Sequence, residues 1–268
     1  MIEKFSWKKH KEMASHMPFS YFSHPIYLDF SAYTFERNSE HLVVWQDALY
    51  PHDFPSMFLP RKKANWYGAT IELASKDDIV RMKEEKTPIF VQKKIMDEFF
   101  YRTQDLLNLV GNYGTRVRQF EKTYDFRITH HASQEDILKL YRAWKRQRAR
   151  ESAVFEESEA FFMFCLERLK AYKIEQVYVW EGKKLVGLAW GVLHPHGGWV
   201  GLHMKMLYAY KGLSRFLHHA RAERFAKIKE CTFGSSGHEE GIEHYKKELH
   251  PDKTVAWHYV ATDVKGGG

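Results

Sequence analysis

The chain is 268 residues long, with 44% hydrophobic and 28% charged residues, proportions of an ordinary soluble globular protein that suit one large domain or two small ones. No apolar run approaches the ~20 residues of a membrane-spanning helix, and the N-terminal stretch from Met1 to His10 lacks the apolar core of a secretory signal, so the expected compartment is the cytoplasm. The net charge of +7 favours anionic partners such as phosphate-bearing cofactors, tRNA or an acidic lipid surface, or else marks a solvated basic surface.

Residues 1–24 are polar and aromatic and read as an opening helix or loop. Ile26–Phe35 and Leu42–Tyr50 alternate apolar and polar residues, the pattern of half-buried strands, with a turn at Asn38-Ser39-Glu40. The prolines of Pro51–Pro60 make that stretch a loop or sheet edge. Ala69–Ala74 is a further strand, and Ser75 and Asp78 open a helix to about Lys86 in the manner of a capping box. Pro88–Val91 reads as a short strand and Lys94–Arg102 as a helix. Gly111 and Gly114 bracket Tyr113 in the join that follows, and Arg116, Arg118 and Lys122 recur at helical spacing, either as a substrate-side basic cluster or as a solvated face.

Ser133 caps a helix from Glu135 to about Arg150, with Ile137, Leu140, Tyr141 and Trp144 on its apolar face and Arg142, Lys145, Arg146, Arg148 and Arg150 making its far end basic. A second helix, Glu157–Ala171, carries Phe161, Phe162, Cys165, Leu166 and Leu169 on one side. Gln176–Trp180 and Leu185–Leu193 flank the Gly182 turn as a hairpin, and Trp199–Leu207 adds a third strand. Two cysteines, Cys165 and Cys231, are too few for a disulfide scaffold; Cys165 reads as a buried core thiol.

Lys205–Pro251 organises the second half. A strand leads into a tight turn at Gly212, then into a helix with Leu213, Phe216, Leu217 and Ala220 on one face, continued by Phe225 and Ile228. A short strand at Cys231–Phe233 and a Gly234-Ser235-Ser236-Gly237 loop follow, and a last helix is stopped by Pro251. A glycine turn opening a helix after a strand points N–H groups outward, often at a phosphate; the alternative is a helix start with no ligand.

This order, with Lys211-Gly212-Leu213-Ser214, Phe233-Gly234-Ser235-Ser236 and Tyr245-Lys246-Lys247, resembles the second half of a GNAT-type acyltransferase, and most closely the FemAB-like and DUF2156 (phosphatidylglycerol lysyltransferase C-terminal) branch. The stretch Leu106–Phe120 is similar to the segment between the halves of that branch, and Val177–Gly191 to the GNAT central hairpin. The resemblance implies an α/β (α+β) protein of tandem GNAT-like folds with mostly antiparallel sheets flanked by helices. A divergent N-terminal lobe is expected over residues 1–125, and a C-terminal lobe carrying the donor turn over 126–265.

The same resemblance implies an N-acyltransferase that moves an acyl or aminoacyl group to a small-molecule or peptidyl amine by direct attack. It places the donor, acyl-CoA or aminoacyl-tRNA, at Tyr210, Lys211, Gly212, Leu213 and Ser214, where only part of the usual pyrophosphate loop stands. Tyr245 takes the place of the tyrosine that protonates the leaving group, Ser235 that of an oxyanion or substrate contact. Lys205, Lys246, Ser236, Tyr113 and Arg116 are expected on the substrate side. His203 and Lys205 share a strand face, which makes His203 a candidate general base if that face lines the cleft. No metal is expected: the sixteen histidines, His218-His219 among them, show no ligand spacing with a third partner, and most read as surface residues. The other reading is a non-catalytic protein of the same fold that binds tRNA or another anionic ligand.

Overall fold

The computed structural model describes residues 2–14, 17–37, 40–45, 56–57, 70–148, 154–235 and 240–262. The strands are β1 (Ile2–Lys4), β2 (Ala32–Arg37), β3 (Glu40–Trp45), β4 (Ser56–Met57), β5 (Thr70–Ala74), β6 (Ile89–Arg102), β7 (Arg127–Thr129), β8 (Glu175–Glu181), β9 (Lys184–Leu193), β10 (Trp199–Met206), β11 (Glu230–Ser235) and β12 (Lys253–Thr262). The helices are α1 (Trp7–Ala14), α2 (Pro25–Ser31), α3 (Lys76–Glu84), α4 (Thr103–Leu107), α5 (Gly111–Thr123), α6 (Gln134–Arg148), α7 (Val154–Glu167), α8 (Leu213–Glu223) and α9 (Glu240–Lys247). The chain forms two compact units, one of residues 1–99, 234–244 and 253–268, the other of 100–233 and 245–252. The class is mixed α/β, with mostly antiparallel sheets flanked by helices.

In the first unit the strands run in the order β1-β2-β3-β4-β5-β12, with the part of β6 up to Phe99 beside β12. Phe5, Phe22, Leu28, Ala32, Leu73 and Trp257 make one buried cluster. The Glu98 carboxylate lies fully buried and accepts hydrogen bonds from Ser20 Oγ at 2.7 Å, the Tyr21 N–H at 2.7 Å and Trp257 Nε1 at 2.9 Å. Hydrogen bonds of this kind offset the cost of burying a polar side chain.

Three elements of this unit differ from the sequence expectation. Residues 26–31 are helical rather than extended, because Pro25 presets the first helical φ and the His24 ring accepts the Ile26 N–H at 3.1 Å. Lys94–Arg102 belongs to a 14-residue strand and not to a helix. Four successive residues, Glu98 to Tyr101, are buried, and a strand covered on both faces loses the alternation that would identify it. The third is β12, over which no element was expected, although its Thr254, Val255, Trp257, Tyr259 and Val260 are strand-favouring residues. By contrast the Ser75–Asp78 capping box forms as expected. The Asn38-Ser39 turn and most of Pro51–Pro60 lie outside the described residues.

In the second unit the order β11-β10-β9-β8-β7 holds the antiparallel β8–β9–β10 meander, and β10 runs parallel to β11. α6 and α7 cover one face: Tyr141 stacks on Phe162 with ring centroids 4.4 Å apart, and Phe162 on Trp190 at 4.9 Å. α8 covers the other face. It closes so tightly that a Cβ on Gly201 would stand 2.8 Å from the Arg221 guanidinium carbon. α5 packs on α8 through Phe120 and Phe216, their rings 4.8 Å apart.

Candidate functional site

The turn into α8 is built by glycine. Gly212 is the N-cap with φ +90°, and a Cβ there would lie 2.5 Å from the Arg116 carbonyl oxygen of α5. Gly212 therefore serves both the left-handed backbone and the close approach of two helices. Several N–H groups in and before the turn are already engaged. Tyr208 N–H donates to Gln147 Oε1 at 2.9 Å and Tyr210 N–H to the Leu207 carbonyl at 3.2 Å. Lys211 N–H donates to the Tyr124 hydroxyl at 3.1 Å and Leu213 N–H to the Tyr210 carbonyl at 3.2 Å. A cradle for pyrophosphate needs such donors free.

Strand register separates the expected site residues into two groups. His203 pairs across from Trp190, and Gly201 across from Gly191, with a register irregularity between them. Directly paired residues share a face, so His203 points to the α6–α7 side. There its ring lies 5.1 Å from Phe161 and 5.2 Å from Phe162. Lys205 Nζ stands 3.6 Å above the Trp144 ring on the same side. Burial first, then the Lys205 charge, hold the His203 imidazole well below its ordinary 6.5.

Tyr245 and Lys246 lie instead with α8. Lys246 Nζ donates to the Phe233 carbonyl at 2.6 Å, and Tyr101 Oη donates to the Lys246 carbonyl at 3.0 Å. The Arg215 guanidinium sits 3.9 Å over the Tyr245 ring and pairs with Glu248. His218 lies 5.7 Å from Tyr245 and 4.6 Å from Phe233, ring to ring. Burial raises the Tyr245 phenol above its ordinary value, against the opposing pull of Arg215 and nearby Ser214.

The remaining residues fall apart from this group. Tyr113 is buried and donates to the Leu106 carbonyl at 3.1 Å. The Arg116 side chain is exposed and reaches Gln119. Tyr210 donates to Glu181. Ser235 ends β11 in the first unit, and Ser236 lies outside the described residues. Among the described residues no group of three His, Cys, Asp or Glu side chains could hold a metal ion.

Arg215, His218 and Arg221 are the residues the sequence reading missed, and His218 is buried rather than a surface histidine. Their signal was present as polar residues three apart, flanked along the helix by Phe216, Leu217, Ala220 and Ala222.

No protein-family model matches the sequence, and no curated protein does either. Solved structures do match. A conserved protein of unknown function from Bacteroides thetaiotaomicron superposes with a TM-score of 0.82 at 10% identity, over 98% of this chain and 99% of that one. The C-terminal DUF2156 domain of a putative lysylphosphatidylglycerol synthetase from Agrobacterium fabrum gives 0.63 at 9% identity, over 94% and 90%. FemX gives 0.61 at 9% identity, over 97% and 96%. The chain thus has the fold shared by the DUF2156 synthetase domain and FemX, as the resemblance in its sequence implied.

Proposed function

We propose that this protein is an aminoacyltransferase that moves an aminoacyl group from the ester of a charged tRNA to an amine, each compact unit being one GNAT-like lobe. The fold supports the transferase class. The observation that carries the donor assignment is the engagement of the Tyr208, Tyr210, Lys211 and Leu213 N–H groups within the protein. It disfavours coenzyme A at the Gly212 turn and leaves the ester donor. The net charge of +7 and the exposed Arg142, Lys145 and Arg146 of α6 suit a polyanionic donor.

In this reading the amine nitrogen attacks the ester carbonyl carbon and the new C–N bond forms as the C–O bond breaks. The proton lost by the amine goes to the leaving ribose oxygen. The chain contributes positioning and charge rather than a covalent intermediate. Lys246, held by the Phe233 carbonyl, supplies a fixed cation near the reacting groups. The other reading, a binding protein without turnover, rests on the same basic face of α6.

Incubation with charged tRNA, or with acyl-CoA, and a panel of small and peptidyl amines, read by mass spectrometry, separates these readings. An amide formed only from charged tRNA supports the proposal. Amide from acyl-CoA moves the donor to coenzyme A. Binding of tRNA without any amide supports the binding protein.

A further inference from the structure

The face of α8 that carries Arg215, His218 and Arg221 holds more buried donors than the protein uses. Arg221 Nη2 lies 3.1 Å from His218 Nδ1. A guanidinium can only donate, so Nδ1 must be the acceptor and the ring proton must sit on Nε2. That Nε2 is buried and has no partner. Arg215 spends Nη2 on Glu248, while its Nη1 is buried without a partner, and so is the Tyr245 hydroxyl.

Two of these orphan groups can only donate and the third readily does. No orphan acceptor lies with them among the buried polar atoms of this cluster. A buried donor left unmade costs on the order of 1–3 kcal/mol, so three beside one another are not a packing accident to be expected of a stable core. Arg221 reaches into the same place, its guanidinium carbon 4.6 Å from the Phe233 ring. The imidazole is held neutral by burial and then by Arg221, Arg215 and Lys246, so it offers an N–H without needing a charge. Glu248, the carboxylate on Arg215, has a side chain 41% exposed, which puts solvent at the rim of the group.

We infer that Arg215 Nη1, His218 Nε2 and Tyr245 Oη form a binding site for a small oxyanion, a carboxylate or a phosphate monoester. A planar guanidinium edge with two neutral donors is the complement of such a group. The site stands on these atoms alone; only its assignment to the acceptor, as the place where an acidic acceptor is held, rests on the aminoacyltransferase reading.

Calorimetric titration and thermal unfolding with inorganic phosphate and with acetate, each against chloride at the same ionic strength, test the site apart from turnover. Saturable binding and a rise in Tm are expected for one of the two probes, and which one responds tells phosphate from carboxylate. Tyr245→Phe should weaken that binding about 10-fold or more, the loss of one hydrogen bond to a charged group. It should leave the Tm measured without the anion nearly unchanged, because no hydrogen bond of ordinary length to the hydroxyl is lost. His218→Asn, which removes Nε2, should weaken binding as well. A Tyr245→Phe protein that melts several degrees lower and binds the anion as before would make the hydroxyl structural and overturn the inference. So would the absence of a saturable response to both probes.

Discussion

His218 Nδ1 and Arg221 Nη2 stand 3.1 Å apart under the α8 face, so the histidine is fixed as the Nε2–H tautomer and kept uncharged. His203, on the opposite face of the same sheet, is also held neutral, by burial and by Lys205. Both imidazoles have pKa values depressed well below 6.5 in the folded protein. The unfolded chain takes up their protons as pH falls through about 6.5 while the folded chain does not, so stability is lost with falling pH. Each histidine should contribute about 1.4 kcal/mol per pH unit below that point until the native state itself protonates. Urea unfolding between about pH 7.5 and 5 measures this. His203→Phe should flatten the slope by one proton's worth, and a stability unchanged over that range would contradict the burial described.

Gly212 and Gly182 both have positive φ, but only Gly212 is crowded: a Cβ there would stand 2.5 Å from the Arg116 carbonyl oxygen, whereas a Cβ on Gly182 meets nothing within 4 Å. Gly182→Ala should cost about 1–2 kcal/mol, the left-handed penalty alone. Gly212→Ala should cost distinctly more, since α5 and α8 must also separate. Equal losses in denaturant titrations would show that the helices are not in such contact.

Glu98 in the first unit satisfies Ser20, Tyr21 and Trp257 at once. Glu98→Ala leaves those buried donors unpaired and opens a cavity, so a loss of about 3 kcal/mol or more is expected. Denaturant titration of the variant beside the parent protein measures it.

Cys165 and Cys231 are fully buried and burial pushes both thiols up from their ordinary range. Native protein should therefore resist thiol-specific labelling at neutral pH, and both sites should label at once on addition of denaturant. Rapid labelling of either in the native state would contradict the core positions.

How far the sequence could be read follows from which residues face one side only. The amphipathic face of α8, the β8–β9 hairpin and the Ser75–Asp78 cap show local periodicity, and each formed where expected. β6 did not announce itself, because Glu98 to Tyr101 are covered on both sides and read as an unbroken block. The site divided in the same way. Gly212, Tyr245 and Lys246 carried a resemblance in sequence, and Tyr245 lies together with Arg215. That His203 belongs to the other face depends on its register with Trp190, which spacing along one strand does not reveal. The buried donors of Arg215 and His218 depend on tertiary packing alone.

The measurement that bears most directly on the proposed function is binding of charged tRNA, uncharged tRNA and acetyl-CoA at two salt concentrations. Charged tRNA should bind more tightly than uncharged, both should weaken steeply with salt, and acetyl-CoA should show no stoichiometric binding. Stoichiometric acetyl-CoA binding that is abolished by Gly212→Asp would contradict the account and place the donor at the turn into α8.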